Sequence, residues 1–193
     1  MTTTTEIINR LCRRLQTSLG SDDQASLLAI MTPEHYHKGE TILEEGKVSR
    51  NIYFVEKGLI RQYYFKNGID ITEHFSTEDD IIYCFESMIM RSPTELMIEA
   101  LEECTIHAIP YEELMALCRE SMGIKELYCR LLEDGLLESL RKCDVQRFEN
   151  ARERYENFVR QYPEAARRAA GKHIASYLLM TPESLSRVKA GLL

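Results

Sequence analysis

The feature that most constrains this chain is Lys66-Asn67-Gly68-Ile69, an Asn-Gly pair set between two runs rich in β-branched and aromatic residues. Both central residues tolerate positive φ, which a tight two-residue hairpin turn requires. A hairpin at this point commits Leu59-Ile60-Arg61-Gln62-Tyr63-Tyr64-Phe65 and residues 71–75 to antiparallel pairing. An isolated hairpin is marginal in water, so these strands need further partners. The sequence supplies them in Thr41-Ile42-Leu43, in Ile52-Tyr53-Phe54-Val55 and in stretches 80–84, 95–100 and 105–109, with Gly39, Gly46 and Gly58 as breaks. Short strands with this punctuation, from about residue 34 to 110, predict an antiparallel sandwich or roll.

Helical periodicity flanks this β region on both sides, so the fold class is α+β. Before it, Ile7, Ile8, Leu11 and Leu15 recur at helical spacing, with Arg10, Arg13 and Arg14 on the other face. Gly20-Ser21-Asp22-Asp23 interrupts the pattern, and Ser21 is the expected N-cap of a second helix through Leu27, Leu28 and Met31, closed by Pro33. After it, residues 111–148 read as one long helix whose weak points are Gly123 and Gly135. Leu114, Leu117, Ile124, Leu127, Leu131, Leu132, Leu136 and Leu140 give it more apolar surface than one core-facing stripe needs. The pattern predicts a dimer seam along this helix, with Gly135 allowing close approach of a second backbone. Residues 149–193 then carry helices around 151–162 and 164–178, separated by Pro163, and a third beyond them. The domain division is therefore 1–110, 111–148 and 149–193.

Charge divides along the same line. The whole chain has a net charge of −7, yet residues 149–193 hold eight Lys and Arg against five Asp and Glu, a balance of +3 beside −10 for the rest. An acidic body with a basic end suits a chain that meets nucleic acid through that end alone. With 44% hydrophobic residues, no apolar run long enough to span a bilayer and no secretory pattern in Met1-Thr2-Thr3-Thr4-Thr5-Glu6, a cytoplasmic protein with no membrane contact is expected. Cys12, Cys84, Cys104, Cys118, Cys129 and Cys143 lack the paired spacing of zinc or redox motifs and read as reduced thiols. His35 and His37 would share a strand face without a third ligand, so no metal and no cofactor is expected. No nucleophile–base pair, phosphate loop or carboxylate pair stands out to carry an enzyme, including one on a cupin-like roll.

The informative segment is residues 172–189. Ile174, Ala175 and Leu178 make the inner face of one short helix, and Leu179-Met180 connects it to another. Thr181 is a strong N-cap, Pro182 stands at the first helical position, and Leu185 and Val188 turn inward. The outward face of the second helix presents Glu183, Ser184, Ser186, Arg187 and Lys189, the types of side chain with which a recognition helix reads base edges and phosphates. Lys172 stands at the start of the first helix, where the phosphate backbone would pass.

Ile-Ala-Ser-Tyr-Leu followed by Met-Thr-Pro-Glu-Ser-Leu-Ser-Arg-Val resembles the helix-turn-helix of Crp/Fnr-type transcription regulators. Lys38-Gly39-Glu40, Gly46 and Val55-Glu56-Lys57-Gly58-Leu59-Ile60-Arg61 resemble that family's cyclic-nucleotide-binding roll. The resemblance implies a sensor roll at 1–110, a dimerisation helix at 111–148 and a DNA-binding domain at 149–193. It also implies double-stranded DNA as partner, a homodimer, and RNA polymerase as a further partner. Ser184 through Arg187 would then face the major groove, and Thr181 would cap beside a phosphate. Two departures stand out: Leu179 occupies the turn where the family holds a glycine, and four residues after Lys189 leave no room for a wing hairpin.

A third departure lies in the roll. The family's nucleotide-binding members place Gly-Glu and Arg-Ser or Arg-Thr around the cyclic phosphate; here these positions fall on Tyr83-Cys84 and Thr94-Glu95, with Arg91-Ser92 three residues early. Glu86, Glu95 and Glu99 would repel a phosphate, so no response to cyclic nucleotides is expected. The candidate effector residues Tyr83, Cys84, Phe85, Glu86, Met88, Thr94 and Glu95, with Met90, suggest an uncharged or apolar ligand. The alternative reading is a small-ligand-binding or protein-interaction module whose last helices no longer bind DNA.

Overall fold

The computed structural model describes residues 4–192, so Met1-Thr2-Thr3 of the expected leaderless start and Leu193 lie outside the described residues. Two antiparallel four-stranded sheets face each other. One has the order β1-β8-β3-β6, from Thr32–Tyr36, Cys104–Pro110, Asn51–Lys57 and Ile81–Ile82. The other has the order β2-β7-β4-β5, from Thr41–Leu43, Met97–Ala100, Ile60–Lys66 and Ile69–Ser76. The hairpin forms at the expected place: β4 and β5 pair from Lys66 opposite Ile69, with Asn67 at φ 53° and Gly68 at φ 77°. Both values lie in the left-handed region that the Asn-Gly pair enters at low cost.

Helices α1 (Thr4–Arg14) and α2 (Ser21–Ile30) cover one side of the roll. Their Ile7, Ile8, Leu11, Leu15 and Leu27 share a core with Ile52, Phe54 and Ile109 of the sheet. Gly20, not Ser21, is the N-cap of α2; Ser21 is already helical and its hydroxyl turns to Asp22. The 80–84 stretch shortens to the two residues of β6, because the chain turns into a short helix, α3 (Phe85–Met90), that periodicity does not reveal.

The expected long helix is two. Ser121 takes an extended conformation at φ −125° between α4 (Tyr111–Glu120) and α5 (Met122–Phe148), and its hydroxyl accepts the Ile124 N–H to cap the second. Leu114, Ile124, Leu127 and Leu131 are buried against α1, α2 and the sheet, so they belong to the protomer's own core. Gly135 serves the protomer as well: a Cβ there would collide with the Tyr83 hydroxyl and lie 3.1 Å from its Cζ. What α5 leaves uncovered is a stripe of Cys129, Leu136, Leu140 and Cys143, with Leu132 half-buried beside it.

The C-terminal region holds α6 (Ala151–Gln161), α7 (Pro163–Arg168), α8 (Gly171–Tyr177) and α9 (Pro182–Lys189). Asn150 starts α6 with a capping box, accepting from the Arg152 and Glu153 N–H groups while the Glu153 carboxylate accepts the Asn150 N–H. The expected helix over 164–178 is split, because Ala169 and Ala170 are both extended and release α8 in a new direction. Phe158, Ala165, Ile174, Ala175, Leu178 and Leu185 form a core that also takes in Leu59 and Phe75 of the roll.

Candidate nucleic-acid interface

Helices α8 and α9 cross over a short connection, at the place where the sequence leads one to expect a helix-turn-helix. Ala175 is fully enclosed where the two helices cross, and Leu178, Leu185 and Val188 fill the space between them. The turn closes through Met180 N–H to Ala175 O at 3.0 Å and Leu179 N–H to Ser176 O at 3.1 Å. This geometry needs a left-handed residue, and Leu179 supplies it at φ 54°. A side chain in that region costs roughly 1–2 kcal/mol, so the turn has the shape a glycine would give at the expense of strain. Thr181 then caps α9 as expected, its Oγ1 accepting the Ser184 N–H at 3.2 Å, with Pro182 at the first helical position.

Arg187, Ser186, Glu183, Lys189, Pro182 and Thr181 are all exposed on this end of the molecule. Lys189 also lies over the Tyr155 ring, 5.7 Å from Nζ to centroid. Ser184 is half-buried and bound into the cap, with the Thr181 hydroxyl donating to its own at 3.2 Å. Lys172 is exposed in the first turn of α8. The structure thus brings these eight residues onto one helix pair, with Arg187 and Lys172 both open to solvent.

The seven candidate effector residues are not gathered in this way. Cys84 sits in the core between the sheets, and Met88 in the core under α1 and α5. Gln62 occupies the space beside Cys84, donating to Tyr83 O at 2.9 Å and to the Cys84 sulfur at 3.4 Å. Burial raises the Cys84 thiol to about 11. Thr94 is enclosed and bonds Leu96 N–H through its own hydroxyl, whereas Glu86 and Glu95 face solvent. Arg91 is exposed at φ 52° and pairs with Glu112 at 2.8 Å, so it does not aim into the roll. Tyr83 stacks on Phe85, ring centroids 4.0 Å apart, and lines a different space.

That space is a cleft of about 400 Å³ between the roll, α5 and the C-terminal helices, with Tyr83, Tyr162, Tyr177, Phe158 and Ile81 on its walls. Much of its charge is paired internally: Arg14 with Asp134 at 2.9 Å, His74 with Glu138 at 3.2 Å, and Lys142 with Glu73 at 2.5 Å. The sequence gives little sign of the residues that hold the C-terminal domain against the roll. Ser176 receives the Thr72 N–H and donates to Asp70 O, both at 2.7 Å, fastening α8 to the edge strand β5. Arg168 of α7 forks onto Glu78 and also pairs with Glu102. Burial alone would raise the Glu78 carboxyl, but Arg168 and the Gly58 N–H hold it down at about 2. His173, enclosed in α8, is lowered to about 4 by burial and then by Arg61 and Lys172. His35 and His37 are exposed, bonded to Thr105 and Glu103, and no cluster of three metal-ligating side chains occurs among the described residues. No helix among the described residues is long and apolar enough to cross a membrane.

Residues 33–121 match the cyclic nucleotide-binding domain family. The HTH-type transcriptional regulator ArcR of Staphylococcus aureus is 30% identical over 102 residues, covering 52% of this chain and 43% of that relative. FixK2 from Bradyrhizobium japonicum has a similar structure, with a TM-score of 0.71 at 19% identity over 84% of each chain. A transcriptional regulator described as of the Crp/Fnr family from Eubacterium rectale gives 0.69 at 19% identity, covering 90% of this chain and 83% of its own. This is the Crp/Fnr fold. The roll is similar to that of a regulator, and ArcR and the Eubacterium rectale protein are both named as regulators of transcription. The matched stretch spans less than half the length of that curated relative.

Proposed function

We propose that the chain is a homodimeric regulator of transcription that binds a two-fold site in double-stranded DNA through α8 and α9. The observation that carries this reading is the α8–turn–α9 arrangement, with its close Ala175 crossing, Thr181 cap and exposed Arg187, within residues 149–193, which carry a balance of +3. In this reading residues 1–110 form the sensor, α5 within 111–148 joins the protomers along Cys129, Leu132, Leu136 and Cys143, and 149–193 meets DNA. Cyclic nucleotides are not the signal, because Arg91 turns out to Glu112 and the Gln62 amide donates to Tyr83 O where the phosphate cassette would open. The effector is a small uncharged or apolar molecule in the tyrosine-lined cleft, where paired side chains leave few free charges for an ion.

Arg187 forks onto a base edge, and Lys172 meets a phosphate. Arg187→Ala costs about 1–3 kcal/mol on a selected site and relaxes preference at one position per half-site. Lys172→Ala weakens binding to all sequences alike and makes the salt slope shallower by about one ion per protomer. Fluorescence anisotropy across a salt series, with a site selected from random DNA and a scrambled control, measures both. Equal binding to the two DNAs by the unaltered protein would refute the reading and favour an interaction module.

A further inference from the structure

The uncovered stripe on α5 has a regular spacing. Met122, Cys129, Leu136 and Cys143 follow one another every seven residues, and Leu132 and Ser139 fall three after the middle pair. Those are the two seam positions of a two-stranded coiled coil. Cys129 and Cys143 are exposed, whereas Cys12, Cys84 and Cys104 are buried and Cys118 is half-buried between α4 and α5. The two open thiols of the described residues thus stand on the apolar stripe that α5 leaves uncovered.

We infer that Cys129 and Cys143 are the rungs of a redox-formed covalent seam, each bonding its own copy across the dimer axis. This rests on the dimer reading above and adds a modification site to it. A two-fold axis running along α5 sends both C-terminal ends the same way, as two recognition helices on one face of a duplex require. It also places each residue at the Cys129, Leu136 and Cys143 positions opposite itself. Helices packed about 8–10 Å apart, with Cα atoms about 2.3 Å from each axis, bring directly facing Cα atoms to roughly 3.5–5.5 Å. A disulfide spans that separation.

The oxidant is a hydroperoxide. One thiolate attacks the O–O bond, forming S–O while the distal oxygen leaves and takes a proton as water or an alcohol. The facing thiol then attacks the sulfenic sulfur; S–S forms, S–O breaks, and the hydroxide leaves as water with that thiol's proton. Two thiols are oxidised by two electrons and one hydroperoxide is reduced. The product holds two DNA-binding ends together at dilutions where a non-covalent seam would part.

The test treats the full chain with hydrogen peroxide and separates it by non-reducing electrophoresis, beside sedimentation of the same chain in reductant. The expected result is a reduced dimer that gives a band at twice the monomer mass after peroxide. Cys129→Ser and Cys143→Ser each keep that band, and the double variant loses it. An antiparallel seam centred on Leu136 would pair Cys129 with the partner's Cys143, and either single variant would then lose the band; that outcome overturns the inference. Loss in Cys143→Ser alone, which would mean that Cys129 is diverted to Cys118, or a band that survives in the double variant, overturns it too. Reduced protein that sediments as a monomer refutes the dimer reading itself, whereas a reduced dimer that never cross-links refutes only the thiol seam.

Discussion

Replacing His173 by glutamine separates the cost of charging a buried imidazole from every other acid effect on this fold. His173 is 7% exposed on α8, with Arg61 of β4 and its own neighbour Lys172 adding positive potential, partly offset by Asp70 of β5 and Glu99 of β7. Its folded value of about 4 lies below the ordinary 6.5. The folded state therefore excludes a proton that the unfolded chain accepts. Its neutral form contributes stability that is fully present above 6.5 and is lost as the pH falls through about 4. At about 1.4 kcal/mol per pH unit, the gap amounts to about 3 kcal/mol. Urea unfolding followed by circular dichroism measures it at about pH 7 and about pH 4, for the unaltered chain and for His173→Gln. The glutamine variant starts lower, because an amide replaces a packed ring, but its stability falls about 3 kcal/mol less over the same interval. A stability difference between the two proteins that is the same at both pH values would refute the reasoning, since the proton linkage would then lie elsewhere.

Three further outcomes follow from the geometry. Gly135→Ala destabilises the fold although alanine is the better helix former by about 1 kcal/mol, because its methyl collides with the Tyr83 hydroxyl; Tyr83→Phe recovers part of the loss, read by denaturant midpoints. Leu179→Gly changes stability by less than about 1 kcal/mol, since relief of the left-handed backbone offsets the lost side chain, whereas Leu178→Ala, in the core, costs about 2–5 kcal/mol. Equal costs in thermal unfolding would show that the turn carries no strain. Cyclic AMP at a hundredfold excess over a genuine dissociation constant would add about 2.7 kcal/mol to stability, and no such upward shift in Tm is expected here.

Local chemistry made much of this molecule legible. The Asn67-Gly68 turn and the β4–β5 pairing it closes, the Thr181 cap with Pro182 behind it and the inward Leu185 and Val188 all depend on residues a few positions apart. Dihedral preference and short-range periodicity act on that scale, and the two short helices with the turn between them could be read from eighteen consecutive residues for the same reason. The strain at Leu179 was legible too, because a turn that needs positive φ needs it whatever surrounds it.

Where the chain folds back on itself, the sequence was silent or ambiguous. The leucines of residues 111–148 read as one broad apolar surface, and only the placement of α1, α2 and Tyr83 separates Leu127 and Leu131, which the protomer buries, from Leu136 and Leu140, which it leaves open. Gly135 looked like room for a second copy and is room for Tyr83, 52 residues earlier in the chain. Arg168 on Glu78 and Ser176 on β5 span 90 residues and more, and neither pair leaves a local pattern. Composition, turns and caps were settled by neighbours in sequence. Which apolar face is spent inside the protomer, and which polar groups hold the C-terminal helices against the roll, depended on contacts between distant segments, and only their packing in three dimensions decided them.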